Sequence, residues 1–382
     1  MEHIGIDLGA KHSHLVVLSE TGVLTRREKI RTAQLPAWLE EQPQSRIVLE
    51  ACTQSPAIAK LGRQAGHEMV IVPGNIVRAL GVGARSIKTD DRDAEVLAQA
   101  SFRNLDLKSV HVRSDLSRSR REVLAARATH IELRKVVSTS IKSWLRGRLQ
   151  TVKARANSKF FAAEVRKRAM EHVEGLPASV EAMLQTYEHL CDQIDQLDEQ
   201  AESLTEQDET IKKLMSIPGV GPIVALSFIT HLDTPERFSN GHDLASYLAL
   251  IPSERTTGGR IRRGATITAG PTYLKALLVQ AAWAMWRHRP GDPMVVWAKQ
   301  IEERRGRRIA IMALARKLAT VMWSMWKHGT SYDPSRASKA RASQLAATLG
   351  KDTQVEPKAS RRATTAAPNA TPITPDTHVA AH

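Results

Sequence analysis

Four carboxylates in this chain stand where strands and a helix can bring them to a common point. Asp7 closes the apolar run in HIGIDLG, Glu50 closes the one in RIVLEAC, and Asp90 and Asp93 stand three apart in KTDDRDA. If the two apolar runs are neighbouring strands, their terminal acids approach each other despite the long stretch of chain between them. Several carboxylates in one pocket repel, which raises at least one pKa and weakens the fold. Magnesium or manganese relieves that repulsion, and two such ions about 4 Å apart can activate an attacking oxygen and stabilise a leaving one in phosphodiester cleavage. Taken alone, Asp90, Asp91 and Asp93 also suit a solvated helix start, with Asp90 as N-cap and Asp93 favoured by the helix dipole. Glu50 resists so plain an account, because a carboxylate ending an apolar strand inside a sheet needs a partner or water. Asp91 points about 100° away from Asp90 on a helix and is left out of the set. Lys11, close behind Asp7, can contact phosphate, while His12 and His14 read as part of a surface turn.

A second set of reactive groups lies far downstream. The segment IPSERTTGGRIRRGATITAG carries hydroxyls at Ser253, Thr256 and Thr257, then Gly258 and Gly259, then Arg260, Arg262 and Arg263. A hydroxyl on a glycine turn can attack phosphorus while guanidiniums hold the nonbridging oxygens. The plain alternative is a solvated basic loop whose threonines cap backbone groups. Upstream, IPGVGPIVA sets a glycine turn before an apolar helix, where Gly219 and Gly221 can present backbone N–H groups to a phosphate. A lone GVG is also what a tight turn requires for its own sake.

The elements that must hold these groups follow from the apolar spacing. Residues 4–6, 15–18, 21–30, 47–49 and 69–72 read as strands, and 34–41, 55–65 and 90–102 as helices. Strands interleaved with helices make an α/β sheet domain over about residues 1–110. Residues 116–170 are helical and basic, with Arg118, Arg120, Arg121, Arg134, Lys135, Lys142, Arg146 and Arg148 available to phosphate. From Val180 the apolar positions Met183, Tyr187, Leu190, Ile194, Leu197, Ala201 and Leu204 step by threes and fours, the repeat of a coiled-coil seam. A stripe of that length needs a partner, which another helix of the same chain or, as the favoured reading, a second subunit can supply. The basic helices and seam span 111–210. A mainly helical unit follows over 211–334, with helices at 242–249, 271–289 and 314–327 and a polar loop at 253–270. Residues 335–382 read as a disordered tail without regular apolar spacing. Trp283, Trp286, Trp297, Trp323 and Trp326 sit at helical spacing that suits core packing better than base stacking.

Composition narrows the classes of function. A chain of 382 residues with a net charge of +15 and a pI near 10 favours a polyanionic partner, nucleic acid first. Two distant cysteines, Cys52 and Cys191, suit isolated thiols in a reducing cytoplasm rather than a disulfide or zinc site. The opening residues have no charged lead before an apolar core, and no uninterrupted apolar run reaches the ~18 residues of a membrane span, so a cytoplasmic protein is expected. GIDLG also opens actin-like ATPases and sugar kinases. Those need further glycine-rich phosphate loops, which neither GVGARS nor PGVGP convincingly supplies.

Over residues 1 to about 334 the chain resembles the DEDD transposases of bacterial insertion sequences, a family that includes Piv-like invertases and bridge-RNA-guided recombinases. The motifs that carry the resemblance are GIDLGAKHSHLVVL, VLEAC, ARSIKTDDRDAEVLA, SIPGVGPIVALSFITHL, FSNGHDLASYLALIPSERTTGGRIRRGATITAGPTYLKALLVQAAW and RRIAIMALARKLATVMWSMWKHGTSYDP. The resemblance implies an RNase H/RuvC-like α/β domain, a helical coiled-coil region, and a mainly helical transposase domain. It assigns Asp7, Glu50, Asp90 and Asp93 to the metal-binding acids, with Mg2+ or Mn2+ as cofactor. It also implies donor and target DNA as substrates, an element-encoded bridge RNA as guide, and a dimer that pairs into a tetramer, nucleoid-associated when on DNA. The family's nucleophile is a serine in an SSGG-like segment, and the matching position here is Thr257. Threonine keeps the oxygen but adds a methyl group that restricts its rotamers. Ser253 is the competing hydroxyl, four residues upstream and outside the glycine turn. The expected reaction is strand cleavage and rejoining. The alternatives are a RuvC-like structure-selective nuclease and a catalytically impaired relative that only binds nucleic acid.

Overall fold

The computed structural model describes residues 1–80, 90–103, 107, 109–172, 175–257, 260–267 and 270–335; the side chains of 90, 255–257, 260–263 and 265 lie outside that description. The expected tail is therefore outside the described residues almost entirely, as are the turn glycines Gly258 and Gly259.

The chain opens with β1 (Glu2–Asp7), β2 (His12–Leu18) and β3 (Leu24–Arg31), then α1 (Leu35–Glu41), β4 (Ser45–Glu50), α2 (Ser55–Gln64), β5 (Glu68–Val72), α3 (Gly74–Ala79) and α4 (Asp90–Phe102). The five strands form one sheet in the order β3-β2-β1-β4-β5. β1, β2 and β3 pair antiparallel, whereas β1, β4 and β5 run parallel. Alternation sorts the side chains. Ile4, Ile6, Leu15, Val17, Ile47, Leu49 and Ile71 pack with Leu35, Trp38 and Leu39 of α1 and Ile58 of α2 on one face. Val16, Leu18, Val48, Val70 and Val72 face the other way, onto Ala94, Leu97 and Ala98 of α4 and Val77 of α3. Gly5 lets α4 lie directly on β1: a Cβ there would stand 1.9 Å from the Ala94 carbonyl oxygen and 2.5 Å from the Ala98 nitrogen. No side chain but hydrogen fits that crossing.

The helical part consists of α5 (Asp115–Arg146), α6 (Phe161–His172), α7 (Ala178–Glu206), α8 (Glu209–Met215), α9 (Pro222–Leu232) and α10 (Gly241–Tyr247). A hairpin of β6 (Pro252–Thr257) and β7 (Arg260–Thr266) follows, then α11 (Thr272–His288), α12 (Pro293–Arg305) and α13 (Arg307–His328). α5 and α7 lie antiparallel along their length. Arg120 pairs with Asp208 just past the end of α7, Arg127 with Asp198, Arg134 with Cys191, and Ile141 packs in one cluster with Leu184. On the α5 side these contacts advance by sevens, as a two-helix seam requires. Of the two partners open for the stripe from Val180 to Leu204, the favoured one, a second subunit, gives way to the other: α5 of the same chain covers it. The inference failed because spacing shows that a stripe needs a partner but not which one.

Two further expectations change. The polar segment at 253–270 is largely an antiparallel hairpin rather than a loop, and α12 forms from a segment with no clear apolar period. The tryptophans behave as expected: Trp323 is buried, and Trp283, Trp286, Trp297 and Trp326 pack partly buried against the C-terminal core. α13 is long and apolar enough to cross a membrane by length and composition. Its Leu314, Leu318, Met322 and Met325 are buried in that core, the reading of a core helix.

The sheet domain joins the helical part through Asp233, which follows α9 at a φ of 69°. Its carboxylate accepts hydrogen bonds from His111 Nε2 at 2.7 Å, Ser114 N at 3.0 Å and Ser114 Oγ at 2.6 Å. Burial by itself would raise the Asp233 pKa, but hydrogen bonds from Ser114, Ser117 and His111 outweigh it and hold the carboxyl well below the usual aspartate range.

Candidate nucleic-acid-processing site

Strand register places the first two acids side by side. β1 and β4 are parallel with Ile6 beside Leu49, so Asp7 and Glu50 end adjacent strands one step further on. Alternation turns both toward the face that α4 covers, since Ile6 and Leu49 belong to the opposite face. Asp7 is also the cross-strand partner of His14, and the His14 imidazole hydrogen-bonds the Asp91 carboxylate in the first turn of α4. That bond fixes the start of α4 over the ends of β1 and β2. Asp93 is 4% exposed and precedes Ala94, whose carbonyl lies against Gly5 two residues before Asp7. Three of the four acids thus share one face and one end of the sheet. Asp90 is the first residue of α4, and its side chain lies outside the described residues.

Asp7 and Asp93 each engage other groups and neither is a bare carboxylate. The Glu50 carboxylate lies against the start of α3, where a Cβ on Gly74 would meet Oε1 at 2.6 Å. Glycine at 74 therefore leaves room for that carboxylate. Among the described residues, no three His, Cys, Asp or Glu side chains already stand together as a metal-ligand group. The donors are nevertheless all hard oxygens on neighbouring backbone positions, the set that suits Mg2+ or Mn2+ rather than zinc.

Two residues read otherwise from sequence belong to this site. His14 is no loose turn residue: its side chain is only 13% exposed and tethers α4. Asp91 was left out of the acid set because it points away from Asp90, yet that angle carries it to His14. The signal was the pairing of Asp7 with His14, which only the sheet register reveals. Lys11 is exposed at the rim, its carbonyl accepting a 2.9 Å hydrogen bond from Thr32 N.

The candidate nucleophile sits elsewhere in the sequence and in a different setting. Thr257 is the last residue of β6, paired with Arg260, the first of β7. Arg262 and Arg263 lie on the same strand opposite Arg255 and Glu254. Ser253 is held at the closed base of the hairpin, where a Cβ on Gly264 would meet Ser253 Oγ at 2.6 Å. The hairpin thus places Thr257 at its tip and Ser253 near its base.

The remaining basic and glycine candidates divide by environment. Arg118 is taken up by Asp115, Arg148 stacks 4.6 Å from the Trp144 ring, and Arg121 and Arg146 are exposed. Gly219 has a φ of 87°, and a Cβ there would lie 2.6 Å from the Ala281 carbonyl oxygen, so turn geometry and packing on α11 already require glycine. Gly221 is open, with nothing within 4 Å of such a Cβ. It borders a cleft of about 560 Å³ lined also by His288 and Arg289.

A sheet with two carboxylates at the ends of adjacent parallel strands, joined to a basic helical body, is compatible with an enzyme that acts on nucleic acid. Residues 4–149 match the DEDD transposase model of IS110 type, and residues 211–294 match the transposase IS116/IS110/IS902 family. Among similar proteins, a putative transposase of Sinorhizobium fredii is 28% identical over 310 residues, covering 80% of this chain and 79% of that one. A probable family 20 transposase of Pseudomonas aeruginosa is 24% identical, covering 87% of this chain and 99% of its own. The transposase for insertion sequence element IS1328 of Yersinia enterocolitica is 25% identical, with 86% and 98% covered. The chain is thus similar to IS110/IS116-type insertion-sequence transposases over most of its length, and it is a transposase, an enzyme that cuts and rejoins DNA.

Proposed function

We propose that this transposase moves an insertion sequence by cleaving and rejoining DNA at a composite centre made of the acid row and the Thr257 hydroxyl. The observation that carries the reading is the parallel register that sets Asp7 beside Glu50 under the first turn of α4. The strand order, antiparallel on one side of β1 and parallel on the other, supports a RuvC-like reading of residues 1–110. Residues 111–210 then act as a coiled-coil spacer, and 211–334 as the transposase domain that carries the hydroxyl.

In this mechanism Asp7, Glu50, Asp90 and Asp93 hold divalent magnesium or manganese. Such an ion, when bound there, would supply charge neutralisation and Lewis-acid activation for phosphoryl transfer. The protein's own groups do the rest. The Thr257 hydroxyl oxygen attacks phosphorus and loses its proton, forming a threonyl phosphodiester as the bond to the DNA leaving oxygen breaks and that oxygen gains a proton in turn. A hydroxyl of a second DNA strand then attacks the same phosphorus and returns the proton to Thr257. Arg260, Arg262 and Arg263 follow Thr257 closely enough in sequence to neutralise the nonbridging oxygens. Arg121, Arg146, Lys11 and the cleft at Gly221 are offered to the flanking backbones.

An element-encoded RNA that pairs with donor and target DNA is part of this reading, resting on the family resemblance and on the basic surface of α5. A dimer pairing into a tetramer would bring an acid row and a hydroxyl from different subunits together; since α5 covers the α7 seam, other surfaces must make those contacts.

The deciding experiment supplies full-length protein, element RNA, both DNA sites and Mg2+, and traps adducts by denaturation. A covalent adduct mapped to Thr257, with joined strands, is the expected result. Cleavage by water without any adduct would replace this reading with a structure-selective nuclease. Binding without cleavage would leave an impaired relative, and recovery on Thr257→Ser would identify the methyl group as the block.

A further inference from the structure

We infer that Lys29 and Arg31 on the edge strand β3, with Lys11 beside them, form a cationic rail that seats the DNA strand entering the acid row. This rests on the reading of Asp7 and Glu50 as the cutting site, and adds to it the residues that align the substrate.

Register supplies the placement. Glu50 adjoins Asp7, Asp7 is opposite His14, and His14 is opposite Lys29, so one cross-strand row runs from the acids to the edge of the sheet. The next row toward the open end pairs His12 with Arg31. Opposed residues share a face, and the face is the one α4 covers, because Arg27, two residues before Lys29, reaches Glu95 of α4 at 2.8 Å. Two strand spacings, about 10 Å, separate Lys29 from Asp7 along that row, a span that a lysine side chain and one nucleotide can bridge.

Charge pairing separates these cations from their neighbours. Arg26 is engaged by Glu2 and Glu28, and Arg27 by Glu95. Lys29 and Arg31 are exposed, and no carboxylate pairs with either among the described residues; Arg31 only donates to Gln34 at 3.3 Å. Like charges gathered without counter-ions gain from a polyanion that displaces its own condensed cations.

The rail is also braced. Thr32, next to Arg31, donates from its hydroxyl to the Gly9 carbonyl at 2.8 Å and from its backbone to the Lys11 carbonyl at 2.9 Å. Its hydroxyl also lies 2.9 Å from Ser13 Oγ. The turn that follows Asp7 is thereby tied to the end of β3, which keeps Lys11 beside Arg31. A charged edge strand has another use, protection against edge-to-edge pairing. That role predicts aggregation on neutralisation and no change in DNA affinity.

The test uses full-length protein and a labelled single-stranded DNA of about 30 nucleotides, with Ca2+ in place of Mg2+. Lys29→Gln with Arg31→Gln is expected to weaken binding roughly tenfold at physiological salt and to make the log–log salt slope shallower by about 1.4. The charge-preserving pair Lys29→Arg and Arg31→Lys is expected to bind as the parent does. Lys167→Gln with Arg168→Gln on α6 serves as the control for net charge. Equal losses in the control, unchanged DNA affinity, or a loss confined to an RNA probe would each overturn the rail. Asp7→Asn keeps the two readings apart: it is expected to retain binding and lose cutting. Persistent cutting in that variant would remove the acid-site reading without touching the binding result.

Discussion

The acid row and the hydroxyl hairpin are held in opposite ways. Asp7 and Glu50 end adjacent strands inside a five-stranded sheet, with apolar side chains on one face and α4 pressed onto Gly5 on the other. Thr257 ends one strand of an isolated two-stranded hairpin next to Gly258 and Gly259. If the acids share a cation as proposed, they need fixed separations, and a packed sheet provides them at low entropic cost. If Thr257 is the proposed nucleophile, it is carried at the end of a short two-stranded hairpin rather than inside the sheet. On the proposed reading, the comparison means that one centre would draw its fixed acid spacing from the sheet and its hydroxyl from the hairpin.

The largest effect that would break this contrast comes from the acids. Asp7→Asn and Glu50→Gln should each reduce metal-dependent cleavage by at least about 10³-fold, or ~4 kcal/mol of barrier. The check is single-turnover cutting, with circular dichroism to establish that the fold persists. Next, Thr257→Ala should eliminate the covalent adduct and lower strand joining about 10²-fold while leaving thermal stability unchanged, because the residue ends a peripheral strand. Thr257→Ser should restore joining, and gel analysis of denatured reactions reads both. If Thr257→Ala instead unfolded the protein, the hairpin would be as structural as the sheet.

A smaller effect sharpens the packing side. Gly5→Ala should cost about 3 kcal/mol in urea unfolding, because the new methyl meets the α4 backbone rather than a side chain that can move away. Gly264→Ala meets only the Ser253 hydroxyl at its nearest approach and should cost about 1 kcal/mol or less. The smallest effect concerns the joint between the domains. Asp233→Asn should lose about 1 kcal/mol near neutral pH. The Asp233 pKa is depressed on folding, so its contribution is complete above the unfolded aspartate value, near 3.9. It then fades as pH falls through that value toward the folded one. Unfolding of parent and variant should converge in acid, and a constant difference down to pH 2 would remove the charge from the explanation.

The strand-end placement of the acids could be read from the chain because the relevant signals were local. Asp7 and Glu50 each follow a short run of Ile, Val and Leu, and such runs at the start of an α/β pattern have few other uses. Asp93 fell on the buried stripe with Ala94 and Leu97, as helical spacing required. The reading failed where the answer depended on a distant partner. The seam of α7 announced a mate without naming α5, and the hairpin at Ser253–Thr266 was hidden by its polar, glycine-rich composition until antiparallel pairing supplied its bonds. His14 and Asp91 looked unrelated, being far apart in sequence and of types common on surfaces.

The sequence by itself determined most element types, the acids that end strands, the basic character of the body and the transposase resemblance, because periodicity, side-chain chemistry and motif order are written residue by residue. Only the tertiary structure decided that Asp7, His14 and Lys29 form one row with Glu50, that Gly5 admits α4, and that the long helices pair within the chain. Those outcomes depend on register and on which surfaces meet. Each is fixed by the joint packing of segments far apart along the backbone, and no segment carries it alone.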